Sequence, residues 1–402
     1  MKFDVIICGA GPAGSSAALS CAKAGLKTLL IEKEVLPRHK TCGGGIPLVM
    51  KDFLFDLEPS AFIESDVRFM RHTWNFSDAQ IFPINQEGNK KELSLWMVQR
   101  SLFDNAIAKH AQKAGAVLKD GIAVYKIEIE NKKVKVYAKS KNETILIAEG
   151  DYLIGADGAN GVVARFCGLR KNRVHAFGIE IEHPHDWKPI HPDLRKDIIH
   201  LEYGAVSGGY GWIFPKAQHI NVGAGIFAPY SSFLGKDINK KELLQKTIFN
   251  YMDSLNVKYD ANEMTYHAHP LPLWNGKEML HTKDGKILLA GDAAGLINPL
   301  FGDGILHAVK SGMIAANCIV NNEVSNYTKL IHADFGKNFD AALKLAPIFY
   351  KHADFIYKNV VKRSTATRLA AELLSGEALF TSVANRALQR IATSIPGINS
   401  AK

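Results

Sequence analysis

Two hydrophobic periods alternate along this chain, and the switches between them predict its elements. A β-branched run, Val5-Ile6-Ile7, reads as a strand, and Ser15 to Ala24 reads as a helix. A second strand, Thr28-Leu29-Leu30-Ile31, follows. Residues Pro59 to Glu92 read as short strands and turns. Leu102, Phe103, Ala106, Ile107, Ala111 and Ala114 recur at helical spacing, and Gly115 stops that helix. Four strand-like segments come next, at 116–118, 123–127, 134–137 and 144–147; their alternation predicts an antiparallel meander. Ile179 to about Phe227 is strand-rich, and Lys240 to Leu255 is helical. Lys286 to Ala290 is a strand, Ile305 to about Val320 a helix, and the remainder to about Ile395 reads as amphipathic helices.

The first strand runs into Gly9-Ala10-Gly11-Pro12-Ala13-Gly14, a G-x-G-x-x-G set. Gly9 permits the tight turn, Gly11 lets the backbone approach a pyrophosphate, and Gly14 lets the helix pack on the strand. The helix N-terminus points free N–H groups and a positive dipole end at the phosphates. Glu32 ends the second strand at the offset expected for an acid that accepts the hydroxyls of an adenosine ribose. Its charge would repel a 2′-phosphate, so the site is expected to hold FAD or NAD and not NADP. The predicted fold class is α/β, a Rossmann-like domain with an inserted antiparallel-sheet substrate domain and C-terminal helices. The pieces expected for the nucleotide domain are 1–55, 94–165 and 280–330. The strand-rich pieces 56–93 and 166–279 form the substrate domain, and 331–402 a helical segment.

The length of 402 residues suits two closely joined domains, and 47% hydrophobic with 22% charged residues describes an ordinary globular chain. The five cysteines, Cys8, Cys21, Cys42, Cys167 and Cys318, have no C-x-x-C or zinc spacing, so reduced thiols in a cytoplasmic protein are expected. The N-terminus imitates a signal peptide, but Asp4 and the glycine pattern assign it to the nucleotide strand. No apolar run is long enough for a transmembrane helix. The net charge is +9, and from Lys329 to Lys402 eleven Lys/Arg face five Asp/Glu. That excess suits either a solvated helix face or contact with an anionic membrane, on the inner face in a cytoplasmic protein. No zinc-finger, RNP-like or basic-zipper pattern points to nucleic acid.

Cys42 precedes three consecutive glycines, Gly43-Gly44-Gly45, which suit close backbone approach to a flat ligand. Tyr210 and Trp212 alternate with Gly211 and Ile213 as on a strand, with their side chains expected on one face. They fit either ordinary core packing or the wall of a ligand cavity. His175, His183, His185, His191 and His200 match no metal spacing and read as surface histidines, and no metal site is expected.

Gly9 to Gly14 with Glu32, then Asp157-Gly158, then Gly291-Asp292 occur in the order of FAD-dependent oxidoreductases with the p-hydroxybenzoate hydroxylase type of fold, which the chain resembles. Pro37-Arg38-His39-Lys40-Thr41-Cys42-Gly43-Gly44 and Tyr210-Gly211-Trp212-Ile213-Phe214-Pro215 resemble two motifs of the geranylgeranyl reductase family. The resemblance implies that Gly9, Gly11, Pro12, Ala13, Gly14, Glu32 and Lys33 hold the ADP half of FAD. Arg100 and Asp157 with Gly158 would lie near its pyrophosphate and ribose, and Gly291 and Asp292 near the ribityl chain. Cys42, Gly43, Gly44, Ala123, Gly302, Gly304 and Ile305 would complete the cofactor shell, Cys42 being also the candidate catalytic group. Tyr210, Trp212 and Phe214 would line the substrate cavity. The implied activity is reduction of carbon–carbon double bonds in a geranylgeranyl-type lipid by hydride from flavin N5. A flavin monooxygenase or halogenase, or a flavin- and lipid-binding protein without activity, are the alternative readings. No second G-x-G-x-x-G is present to bind NAD(P)H, so the donor implied is a docking NADPH or a ferredoxin-like carrier.

Overall fold

The computed structural model describes residues 1–54, 57–140, 143–233, 238–276 and 278–386; the last predicted helical stretch, beyond 386, lies outside them. The first sheet forms around β1 (Lys2–Cys8), whose Val5, Ile6 and Ile7 are fully buried. Burial on both faces is what a parallel sheet covered by helices asks of a strand. α1 (Pro12–Lys23) begins with proline at its first turn, where the missing N–H costs nothing. It leads to β2 (Thr28–Ile31), parallel to β1.

Next come β3 (Gly45–Pro47), β4 (Ile63–Val67), β5 (Phe69–Trp74), β6 (Ser77–Pro83), β7 (Leu95–Val98) and α2 (Arg100–Lys113). β3, β7 and β4 make a small three-stranded sheet. β8 (Val117–Lys119), β9 (Val124–Glu130), β10 (Lys133–Ser140) and β11 (Glu143–Gly155) follow. The meander predicted over all four segments covers only the last three. β8 instead pairs parallel with β2 at the sheet edge, because α2 makes a crossover connection between β7 and that edge. β11 lies parallel beside β1 and carries the chain back to the centre of the first sheet.

After the short α3 (Val163–Phe166), the chain builds a second sheet from β12 (Val174–Pro184), β13 (Ile198–Glu202), β14 (Gly209–Pro215), β15 (His219–Phe227) and, after α4 (Lys240–Asp253), β16 (His267–Leu273). β5 and β6 complete it, in the order β16-β12-β15-β14-β13-β5-β6. One face packs on α4 through Ile213, Val222, Leu244 and Ile248; the other faces the interior of the molecule. β17 (Ile287–Leu289) returns to the first sheet beside β11.

α5 (Ile305–Val320) then lies against α1. The contact is close because Gly312 has no side chain; a Cβ there would overlap the Ala13 carbonyl oxygen. α6 (Tyr327–Ile331) continues through a π-helical turn into α7 (Lys337–Lys351), followed by α8 (Ala353–Ile356), a second π-turn and α9 (Ser364–Ser375). α7 and α9 close over the second sheet, with Tyr350 and Leu373 in one apolar cluster with Phe227 and Leu300. None of the described helices is long and apolar enough to cross a membrane.

Candidate functional site

A cavity of about 930 Å³ runs between the two large sheets, from the glycine turn after β1 to the underside of α9. Every residue assigned above to cofactor or substrate lines it except Gly14, which works behind the wall. A Cβ on Gly14 would overlap the Gly9 carbonyl oxygen, and one on Gly9 (φ +100°) would overlap the Ala156 carbonyl. Those two glycines therefore fix the turn and the helix–strand contact.

At this end α1 starts at Gly11 with no side chain capping its free N–H groups. Glu32, buried at the tip of β2, accepts from the Ala10 amide (2.8 Å) and the Glu34 amide (3.2 Å). Arg38 lies 3.7 Å from Glu32 and 2.9 Å from Asp104. Asp104, fully buried on α2, also accepts both forks of Arg100 at 2.8 Å. A carboxylate thus holds two guanidinium groups beside the helix N-terminus, and Arg38 and Asp104 are contributors the motif reading passed over. Asp157 accepts from the Val162 and Val163 amides (2.6 and 2.9 Å), while its buried Oδ1 has no protein partner.

Asp292 sits at the waist, 3.9 Å from His269. Burial opposes its ionisation, but His269, Lys40 and Arg100 outweigh burial and hold the carboxyl below the usual range. Near it the Cys42-Gly43-Gly44 loop is clamped from its far side. Cys42 N–H donates to Glu180 (2.7 Å), and Lys216 donates to the Gly43 and Val98 carbonyls (2.6 and 2.8 Å). The glycines here are demanded by protein neighbours: a Cβ on Gly43 would meet the Phe214 ring, and one on Gly44 (φ +71°) the Val98 carbonyl.

Beyond the waist the walls turn apolar. Tyr210 and Trp212 share one face of β14, ring centroids 5.9 Å apart. The Trp212 indole lies on a floor without side chains, made by Gly178, Gly223 and Gly225 of β12 and β15. Its N–H donates to Asn221 (2.8 Å), and the Tyr210 hydroxyl donates to the Phe301 carbonyl (2.6 Å). Ile356, Val360, Leu369 and Leu373 of the C-terminal helices cover the far end. A buried polar row, Tyr203–His72–Thr367, bridges the sheet to α9 with contacts of 3.1 and 2.8 Å. The C-terminal segment carried no recognisable motif, so these residues were invisible in the sequence; only their amphipathic spacing could have suggested an inward face.

The histidine reading needs correction. His200 is fully buried against Tyr251 because it takes an inward position of β13, and His185, just past the end of β12, is buried edge-on against Trp187. Burial keeps both neutral by pushing their pKa values down. No group of His, Cys, Asp or Glu among the described residues could hold a metal ion. All five cysteines are free thiols.

Three comparisons bear on the site. The FAD binding domain family matches residues 2–319. The geranylgeranyl diphosphate reductase of Synechocystis sp. is 30% identical over 379 residues, which cover 87% of this chain and 86% of that protein. The digeranylgeranylglycerophospholipid reductase of Methanocaldococcus jannaschii is 31% identical over 324 residues, 78% of this chain and 75% of the relative. Among solved structures, a geranylgeranyl bacteriochlorophyll reductase-like protein from Thermoplasma acidophilum superposes with a TM-score of 0.74 at 24% identity, covering 99% of this chain and 97% of that one.

Proposed function

Because the chain belongs to the FAD binding domain family and is an FAD-dependent oxidoreductase, we propose that it saturates carbon–carbon double bonds of a geranylgeranyl-type lipid. The observation that carries this reading is one continuous cavity, lined by the glycine turn, carboxylates and arginines at one end and by apolar side chains at the other. The polar end fits FAD on its own terms. It offers an uncapped helix N-terminus, a turn that no Cβ could enter, two arginines fixed by Asp104, and a buried Asp157 oxygen without a protein partner. Gly9, Gly11, Pro12, Ala13, Gly14, Glu32 and Lys33 would take the ADP half. Ala123, whose neighbour Ile122 donates its amide to the Glu32 carbonyl, would join the ADP half. Arg38, Arg100, Asp157, Gly158, Gly291 and Asp292 would take the pyrophosphate and ribityl chain, and Cys42 to Gly44 and Gly302 to Ile305 the ring.

FAD, when bound, supplies the hydride from its N5. The chain's own residues orient the acceptor: Tyr210, Trp212 and Phe214 give aromatic surface to a branched, uncharged polyene, and the C-terminal helices exclude water from it. Lys216 speaks against the halogenase reading, since its ammonium is turned away from the cavity and bonded to two carbonyls. The electron donor is NADPH or a ferredoxin-like carrier, docking transiently.

The substrate tail would enter from a membrane. Val360 and Ile356 line the cavity, and Val360 is 47% exposed; beside it Phe355 is 65% and Ile348 56% exposed. Lys344, Lys351 and Lys358 lie in the same stretch. An apolar knob among lysines suits reversible contact with an anionic surface. The test of the function is anaerobic incubation of the reduced protein with geranylgeranyl lipids. Mass spectrometry should find products with added hydrogen, and unchanged lipid would refute the proposal.

A further inference from the structure

Addition of a hydride to an isolated double bond requires an acid beside the second carbon, and the cavity holds a candidate that no motif pointed to. Glu180 sits on β12, 2% exposed, in the cavity wall between the Cys42 loop and Trp212. Its register partners are Gly223 on β15 and His267 on β16; Gly223 in turn pairs with Trp212 on β14. Glu180, Gly223 and Trp212 therefore form one row across three strands on one face, and the missing side chain in the middle brings the indole toward the carboxyl. We propose that Glu180 is the acid that protonates the substrate carbon, resting on the reductase reading above.

The balance is simple. The π bond breaks, one carbon gains a hydride carrying two electrons from reduced FAD, and the other gains the proton of the Glu180 carboxylic acid. Glu180 is left as a carboxylate and regains a proton from water, and FAD, oxidised by two electrons, is reduced again by the external donor.

The surroundings suit a carboxyl that is protonated near neutrality. Burial raises its pKa to about 7, against the Cys42 amide, Asn221 and Lys216, which favour the charge; Glu182 on the same strand adds to the rise. His267 faces it from β16, and Lys216 lies under the shared loop. Its Oε1 is pinned by the Cys42 amide, so the carboxyl is oriented before substrate arrives. Asp303, the other cavity carboxyl raised to about 7 by burial, lies 3.5 Å from His307 of α5 and on the Tyr210 side of the cavity, whereas Glu180 shares its row with Trp212. Cys42 is the competing donor in the loop itself.

The experiment compares wild type, Glu180→Gln, Glu180→Asp and Cys42→Ser, each loaded with FAD. Glu180→Gln keeps the oxygen that accepts from Cys42, so FAD content and photoreduction should match wild type. Alkene reduction should fall by about 10²- to 10⁴-fold, the usual contribution of a general acid, with Glu180→Asp between. Wild-type rate should decline as pH rises through about 7, and that limb should vanish in Glu180→Gln. In the protein without FAD, an infrared carboxylic-acid band that titrates near the same pH should be absent from Glu180→Gln. Wild-type turnover with a Glu180→Gln rate within a few-fold, or a pH limb lost only in Cys42→Ser, would overturn the role of Glu180 alone. Absence of turnover by wild type would overturn the reductase reading and this inference together.

Discussion

Glu32 shows how a residue can be legible in type and incomplete in role. Its spacing from the glycine turn makes it the expected ribose acceptor, and the same carboxylate also ties down the Ala10 amide and draws in Arg38. Glu32→Ala should therefore weaken FAD binding by about 1.5–3 kcal/mol, the range for hydrogen bonds to a charged group, measured by fluorescence titration. Glu180 and Lys216 were not legible, since nothing in a lone Glu within a strand or a lone Lys just past one announces burial. They also give a stability signature. A buried acid raised to about 7 costs stability above that pH, and the cost is relieved as pH falls toward the unfolded value near 4.5. Glu180→Gln removes that cost, so its gain in melting temperature over wild type should be larger at pH 8 than at pH 5. Equal differences at both pH values would contradict the buried, raised carboxyl.

Among the elements, those with a strong local period were readable: β1, β2, α2, α4 and α5 lie where their patterns place them. β8 was misassigned to the meander because three residues carry no information about their partner strand, and only the crossover by α2 decides it. The pairing of β5 with β13, across more than a hundred residues, was likewise beyond any local pattern. β14 was read correctly as an alternating strand, but the glycine floor under Trp212 comes from two other strands. Tyr210→Ala or Trp212→Ala should keep the FAD absorbance and lose or redirect lipid reduction; wild-type products at wild-type rates would remove β14 from the substrate wall. On α9, Leu373 faces the far end of the cavity, so Leu373→Trp should shorten it and favour shorter polyprenyl chains in a competition assay.

At the scale of the whole molecule, the nucleotide end was legible because phosphate binding imposes a spaced glycine code. The apolar end was not, because such a lining has no code beyond being apolar and inward. The C-terminal helices resolve into two faces, one packed over the cavity and one carrying Ile348 and Phe355 outward among lysines. Binding to anionic vesicles should be seen by sedimentation and should fade as salt rises, since screening acts within about a Debye length of 8–10 Å; equal recovery in the supernatant with neutral and anionic lipid would contradict membrane contact. The central claim is that one cavity joins FAD to an isoprenoid chain for reduction. The most direct measurement mixes the photoreduced protein with a geranylgeranyl lipid in the absence of oxygen and follows flavin absorbance and lipid mass together. The account predicts that flavin reoxidises in proportion to double bonds saturated. Flavin that stays reduced until oxygen is admitted, with lipid unchanged or oxygenated, would contradict it.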